Sequence, residues 1–159
     1  MKKVVLSMLL VFVLSFSFAV STDVMTGASG QSYYASSSYT KEDLPELFGS
    51  YPYPFSITIS SLNEDGSPNL AVAVPGLSKD GDYLTFGLAP NRTRENFLER
   101  EVAIVALYEY NPTAEEKNDR NKGCRIVVKY VGDEENKKLN GDAERPSIYM
   151  EIIEVLPIG

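Results

Sequence analysis

The segment from Asn91 to Asn96 combines two arginines and a threonine at the start of a predicted helix. The first turn of a helix carries backbone N–H groups without intrahelical partners and the positive end of the helix dipole, and both favour a bound anion. Arg92 and Arg94 can add forked, charge-assisted hydrogen bonds. Thr93 can donate to the same anion or cap the helix. The segment therefore predicts a phosphate site.

A purely structural interpretation of these residues is also open. Thr93 would then only cap the helix, and the arginines would pair with Glu95 and Glu99 on a solvated helix face. Residue types and spacing alone do not separate this arrangement from a ligand site.

The composition excludes several other kinds of chemistry. The chain has no histidine, which removes the commonest general base near neutral pH and the usual ligand of zinc and haem iron. The single cysteine, Cys124, lies in an apolar run and is interpreted as a buried hydrophobic residue. The acidic runs 115–116 and 133–135 are interpreted as solvated charge. A net charge of −7 leaves no basic face, so no nucleic-acid partner is expected.

The N-terminal residues resemble an export signal. Lys2 and Lys3 precede an apolar run over residues 4–20, with small residues at Ser17 and Ala19. This pattern predicts a secretory signal peptide over residues 1–20, cleaved near Ala19, and an exported protein. The alternative is an uncleaved membrane anchor. The protein would then contact the membrane only through this segment. Residues 21–39 are rich in Ser and Tyr and predict a disordered linker, so the domain is expected at 40–159.

The elements that must position the phosphate site are mostly strands. A short helix capped by Thr40 and ending at Gly49 precedes the first strand, and a second short helix is predicted over 93–100. Alternating and β-branched residues predict six strands, over 55–61, 69–74, 83–87, 102–110, 124–131 and 147–155. Six short strands joined by short connections, with only two helices, predict a mainly β fold: a six-stranded, Greek-key-like antiparallel split barrel.

The order of these features resembles a known family. Between about Thr40 and Tyr110 the chain resembles the FMN-binding split-barrel proteins, also called pyridoxamine 5'-phosphate oxidase-like. The shared order is a strand, a turn, the run 68–74, a second turn, Arg92-Thr93, Asn96 and a strand starting at Val102. The resemblance implies a homodimer that binds FMN at its interface. It also implies that the cofactor supplies the chemistry, as an oxidoreductase or electron-transfer protein of unassigned substrate.

The resemblance also implies specific contacts. The family's phosphate contacts correspond to Arg92, Thr93 and Asn96. The strand that lies along the flavin ring in this family corresponds here to Val72, Ala73 and Val74, whose backbone amides would make the contacts.

Further residues are weaker candidates for the same ligand. Tyr108 and Tyr110 could stack on a flavin or donate a hydrogen bond to it, although core and interface packing is the favoured interpretation. Arg125 and Lys129 share a strand face and could add positive charge.

Two other functions stay open from the sequence. The protein could be an exported binding or structural module that kept the barrel and lost the flavin. It could also be a haem-handling relative that ligates iron through a tyrosine such as Tyr108 or Tyr110.

Overall fold

A computed structural model of the protein describes residues 38–50, 52–53 and 55–158. The predicted signal peptide and most of the predicted linker lie outside these residues. None of the helices in the described ranges is long and apolar enough to cross a membrane. Two short 3₁₀ turns, at Lys41–Asp43 and Lys117–Arg120, accompany the regular elements. These elements are α1 (Leu44–Gly49), β1 (Ser56–Leu62), β2 (Pro68–Ala71), β3 (Gly76–Leu77), β4 (Tyr83–Phe86), α2 (Arg92–Arg100), β5 (Val102–Tyr110), β6 (Asn121–Tyr130), α3 (Asp133–Asn140) and β7 (Ile148–Pro157).

The strands form one antiparallel sheet in the order β2-β1-β5-β6-β7-β4-β3. Its two edge strands, β2 and β3, are consecutive in the chain and are separated only by residues 72–75. The five Cα steps from Ala71 to Gly76 reach at most about 18 Å, whereas seven strands in a flat sheet would span about 29 Å. The sheet must therefore curl until its two edges face one another, which makes a half-barrel.

The inside of the curl holds the apolar core. Alternate residues point inward and are buried along β1 and along most of β5, β6 and β7, in keeping with the two-residue period of a strand. In β7 the alternation is interrupted after Ile152, opposite the register shift between Val127 and Val128. Helix α2 adds Phe97, whose ring meets that of Phe86 edge to face, with the ring centroids 5.1 Å apart. The largest fully buried side chains include Ile59, Leu84, Leu107, Ile126 and Met150.

The predicted mainly β, antiparallel architecture is confirmed, with three differences in its elements. The predicted strand 69–74 is hydrogen-bonded only as β2, because the chain leaves β1 after Ala71 to cross to the other edge. A seventh strand, β3, is too short to show an alternating pattern. Helix α3 lies between the strands predicted over 124–131 and 147–155, where the sequence predicted no helix. None of its residues is buried. Its sequence therefore has no need of the apolar periodicity by which most helices are predicted.

The folded domain begins before Thr40. Ser38 forms a parallel bridge with Gly123, and the amide of Tyr39 donates to the Gly123 carbonyl at 3.0 Å. The buried Tyr39 hydroxyl donates to Glu109 Oε2 at 2.9 Å. Burial, followed by this hydrogen bond, raises the pKa of Tyr39 well above its usual range. The last two residues of the predicted linker therefore belong to the folded domain.

Gly123 is a position where a side chain does not fit. A Cβ there would overlap the backbone carbonyl oxygen of Leu107 and lie 3.1 Å from Ile158 Cδ1. We expect Gly123→Ala to lower the free energy of unfolding by about 1–3 kcal/mol or more, as overpacking does. Urea denaturation measures this. Gly87→Ala is the matched control, because nothing lies within 4 Å of its added Cβ. Equal unfolding midpoints for the two variants would contradict the prediction.

Candidate functional site

Helix α2 begins at Arg92, one residue before the predicted start, with Asn91 as its cap. Asn91 has extended backbone angles, and its side-chain Oδ1 accepts a hydrogen bond from the Arg94 amide at 2.9 Å. This side chain satisfies one of the N–H groups that lack an intrahelical partner. Thr93, which the structural interpretation of the sequence made the cap, does not have that role.

A buried polar network joins α2 to the hairpin of β1 and β2. The buried polar residues among those described are Ser61, Thr93 and Asn96, which are 1%, 6% and 3% exposed. The amide nitrogen of Asn69 donates to Ser61 Oγ at 3.2 Å and to Thr93 Oγ1 at 3.1 Å. The amide nitrogen of Asn96 donates to Ser61 Oγ at 3.2 Å and to Asn63 Oδ1 at 3.0 Å. We call these five residues the Ser61 network.

The network changes the role expected for Asn96. An asparagine amide carries two hydrogens, and both of those on Asn96 are donated within the protein. Its amide nitrogen therefore has no hydrogen left for an anion, and the residue holds α2 against β1. Ser61, Asn63 and Asn69 were missed in the sequence analysis. The sequence feature that could have indicated the network is Ser61, a polar residue at an inward position of β1, whose other inward positions are Ile57 and Ile59.

The two arginines at the start of α2 differ in their partners. Arg92 is exposed and lies 3.1 Å from the Glu95 carboxylate, as the structural interpretation predicted. Arg94 is half-buried, and in the described part of the chain no ion pair or side-chain hydrogen bond involves its guanidinium. A half-buried guanidinium without an acceptor is suited to an incoming anion.

The chain after β2 presents unpaired backbone groups. Leu70, Val72 and Val74 point outward and are 72%, 80% and 63% exposed, while Ala71 and Ala73 pack against the core. The strand-like alternation thus continues through Val74, as predicted. No backbone hydrogen bond to a described residue is formed by the amides from Val72 to Val74. These amides are consequently available to a ligand.

One hydrogen bond connects the two halves of the predicted site. Asn69 lies on the strand that leads to Val72, and its side chain reaches Thr93 in the first turn of α2. From Asn69 to Ala73 is four residues, or about 13 Å along an extended chain. A ribityl phosphate and its attached ring can bridge that span. The donor types in the two halves therefore fit a phosphorylated flavin.

The weaker candidates lie at other places in the sheet. Tyr108 and Tyr110 are at the end of β5 remote from α2, and the Tyr108 hydroxyl donates to Asn121 Oδ1 at 2.6 Å. Arg125 donates from Nε to the Pro157 carbonyl at 2.9 Å. Lys129 is exposed on the same strand. None of these contacts directs the side chain toward the start of α2.

Two titratable groups near the core are held in their neutral forms. Burial raises the pKa of the Cys124 thiol to about 12, so this cysteine is a packed hydrophobic residue rather than a nucleophile. Burial, followed by a hydrogen bond to Asp133 at 2.9 Å, raises the pKa of Tyr130 to about 12. The nearby charge of Arg94 acts in the opposite direction on Tyr130.

Known structures share this architecture. An FMN-binding protein from Syntrophomonas wolfei subsp. wolfei superposes with a TM-score of 0.53 at 18% sequence identity, covering 74% of this chain and 85% of its own. The chain has a split-barrel fold. No protein-family model and no curated protein match its sequence.

Two further structures superpose less closely on the split barrel. A protein from Lactobacillus delbrueckii, proposed to be a pyridoxamine 5'-phosphate oxidase, has a TM-score of 0.42 at 18% identity, covering 70% of this chain and 90% of its own. HutZ, the haem storage protein from Vibrio cholerae, has a TM-score of 0.42 at 10% identity, covering 74% and 89%.

Tyr130→Phe tests the buried phenol beside Arg94. The pKa of Tyr130 is about 12 in the folded protein against an ordinary value of 10, so the neutral phenol stabilises the fold fully below pH 10, and this contribution is lost as the pH rises toward 12. We expect the difference in unfolding free energy between wild type and variant to shrink across that range. Urea unfolding between pH 9 and pH 12 measures it, with the exposed Tyr110→Phe as control. A difference independent of pH would contradict the prediction.

Proposed function

We propose that the protein binds FMN, with the phosphate at the start of α2 and the ring along Val72, Ala73 and Val74. The observation that carries the proposal is the hydrogen bond from Asn69 to Thr93, which ties the two halves of the site to each other. A protein of the same fold is described as FMN-binding, and the order of motifs along the chain agrees with that ligand.

The phosphate would be held mainly by Arg94, whose guanidinium has no acceptor among the described residues. Arg92 would join by exchanging Glu95 for the phosphate, which is favourable because a phosphate monoester carries close to two negative charges at neutral pH. The exposed ion pair between Arg92 and Glu95 is worth little and is readily exchanged. The Thr93 hydroxyl and the first-turn amides would complete the donor set.

The ring would be oriented by backbone rather than by side chains. The amides from Val72 to Val74 make no backbone hydrogen bond in the described chain, and they can donate to the polar edge of the ring. Bound FMN would supply hydride or electron transfer. The chain itself offers no histidine, and its cysteine is buried, so its contribution would be binding and orientation. We therefore propose an FMN-dependent oxidoreductase or electron-transfer protein of unassigned substrate.

We further propose that the protein is a homodimer and that it is exported by the signal peptide over residues 1–20. The surface that favours a second copy is the outward row of Leu70, Val72 and Val74. This row lies within residues 67–78, which contain no charged side chain in a chain of net charge −7. Two acidic copies repel one another least where neither carries charge, and exposed apolar rows of this kind commonly mark interfaces.

Arg94→Gln tests the phosphate site. Loss of a hydrogen bond to a charged group, about 1.5–3 kcal/mol, should weaken FMN binding about 10- to 100-fold and leave riboflavin binding unchanged. Flavin fluorescence titration of the purified protein measures both affinities. Arg145→Gln, in an exposed loop, is the control. Equal FMN affinity in wild type and Arg94→Gln would contradict the assignment. A wild-type protein that takes up no FMN would favour the flavin-free module.

Replacing Leu70, Val72 and Val74 together by serine tests the interface. We expect wild type to sediment as a dimer and the variant as a monomer with an unchanged far-ultraviolet circular dichroism spectrum, because all three side chains are exposed. Analytical ultracentrifugation measures the mass. Ile153→Ser, at another exposed apolar position, should remain dimeric. A monomeric wild type, or a dimeric triple variant, would contradict this interface.

A further inference from the structure

Asn69 makes contacts that packing of the hairpin does not require. It lies on the edge strand β2, directly opposite Ser61 in the register with β1. Its backbone already belongs to that ladder. Its side chain reaches beyond the sheet to α2, where its amide nitrogen donates to Thr93 Oγ1 at 3.1 Å. The other amide hydrogen goes to Ser61 Oγ at 3.2 Å.

Ser61 determines which way the Asn69 amide faces. Ser61 Oγ accepts from the amide nitrogens of both Asn69 and Asn96. Asn96 is fixed in turn, because its amide nitrogen also donates to the side-chain Oδ1 of Asn63. The amide nitrogen of Asn69 is thereby directed to the two hydroxyl oxygens.

This arrangement leaves the Thr93 hydroxyl with one specific capacity. A hydroxyl has one hydrogen to donate and two lone pairs that accept. Asn69 occupies a lone pair, so the hydrogen stays free, and no residue of the described ranges accepts a hydrogen bond from Thr93 Oγ1. The side chain is only 6% exposed. A buried donor without an acceptor is costly, and this one lies in the first turn of α2, where an anion is favoured.

We infer that Asn69 is a positioning residue that keeps the Thr93 hydroxyl as a hydrogen-bond donor toward a phosphate group at the start of α2. The inference rests on the proposed function, since that phosphate is the one carried by FMN. Asn69 does not touch the ligand. It acts through Thr93, and the selectivity of the site for FMN over riboflavin therefore depends on it.

The experiment compares the affinities of folded variants for FMN and for riboflavin, which lacks the phosphate. Asn69→Ala and Thr93→Val should each weaken FMN binding about tenfold and leave riboflavin binding within about twofold. The double variant should lose no more FMN affinity than either single variant, because each single variant already removes the hydrogen bond from Thr93 to the phosphate. Thr93→Ser keeps the hydroxyl and should retain the wild-type ratio of the two affinities.

Asn63→Ala is the matched control. It removes a member of the Ser61 network that does not contact Thr93, so it should lower stability without changing the ratio of the FMN and riboflavin affinities. If Asn69→Ala weakens both ligands equally, or changes the ratio no more than Asn63→Ala, Asn69 has only a structural role and the inference is wrong.

Inorganic phosphate separates this inference from the proposed function. Nuclear magnetic resonance should show a shift of the Thr93 amide on adding phosphate to wild type, reduced severalfold in Asn69→Ala. If wild type binds no FMN but shows this response, the FMN proposal fails and the role of Asn69 stands. If neither FMN nor phosphate perturbs Thr93, both are wrong.

Discussion

The hydrogen bonds that converge on Ser61 Oγ are the contact on which the placement of α2 depends. A polar group enclosed by apolar residues is costly unless it is paired, and a paired one is held more firmly than at the surface. The network gathers Ser61, Thr93 and Asn96, the buried polar residues among those described. Phe97, the next residue of the helix, is fully buried against Phe86. One helix is thus anchored by an apolar contact and a polar one in adjacent residues, which sets both its depth and its rotation.

Closure of the half-barrel produces the second half of the site. Only residues 72–75 separate the two edge strands, so the chain must leave its partner strand at Ala71 although β1 continues to Ser56. The amides beyond Ala71 lose their sheet partners as a direct result. In most folds such groups would be satisfied by the ladder. Here the topology leaves them without sheet partners on the same chain segment as Asn69, whose side chain contacts the start of α2.

The fold was largely predictable because its signals are local. Strand alternation identified β1, β4, β5, β6 and β7, and the sequence Asn91 to Asn96 identified the start of α2. Helix α3 was not predictable from apolar periodicity, since Leu139 is its only apolar residue, although its acidic first turn and basic last turn suit the helix dipole. Thr93 and Asn91 are both good caps, and only the structure decides between them. The Ser61 network could not be predicted from the sequence either, because it depends on the register of Ser61 with Asn69 and on the position of α2.

The residues that stabilise the barrel and those that would contact the proposed ligand are nearly separate sets. Ser61, Asn63 and Asn96 have their side-chain hydrogen bonds inside the protein and contribute to folding. The Arg94 guanidinium and the amides from Val72 to Val74 make no such hydrogen bond to a described residue. Thr93 belongs to both sets, as an acceptor within the network and as a donor outward. A split barrel of this sequence could therefore lose the proposed ligand and keep its fold through replacement of Arg94, whose guanidinium has no hydrogen-bond partner among the described residues.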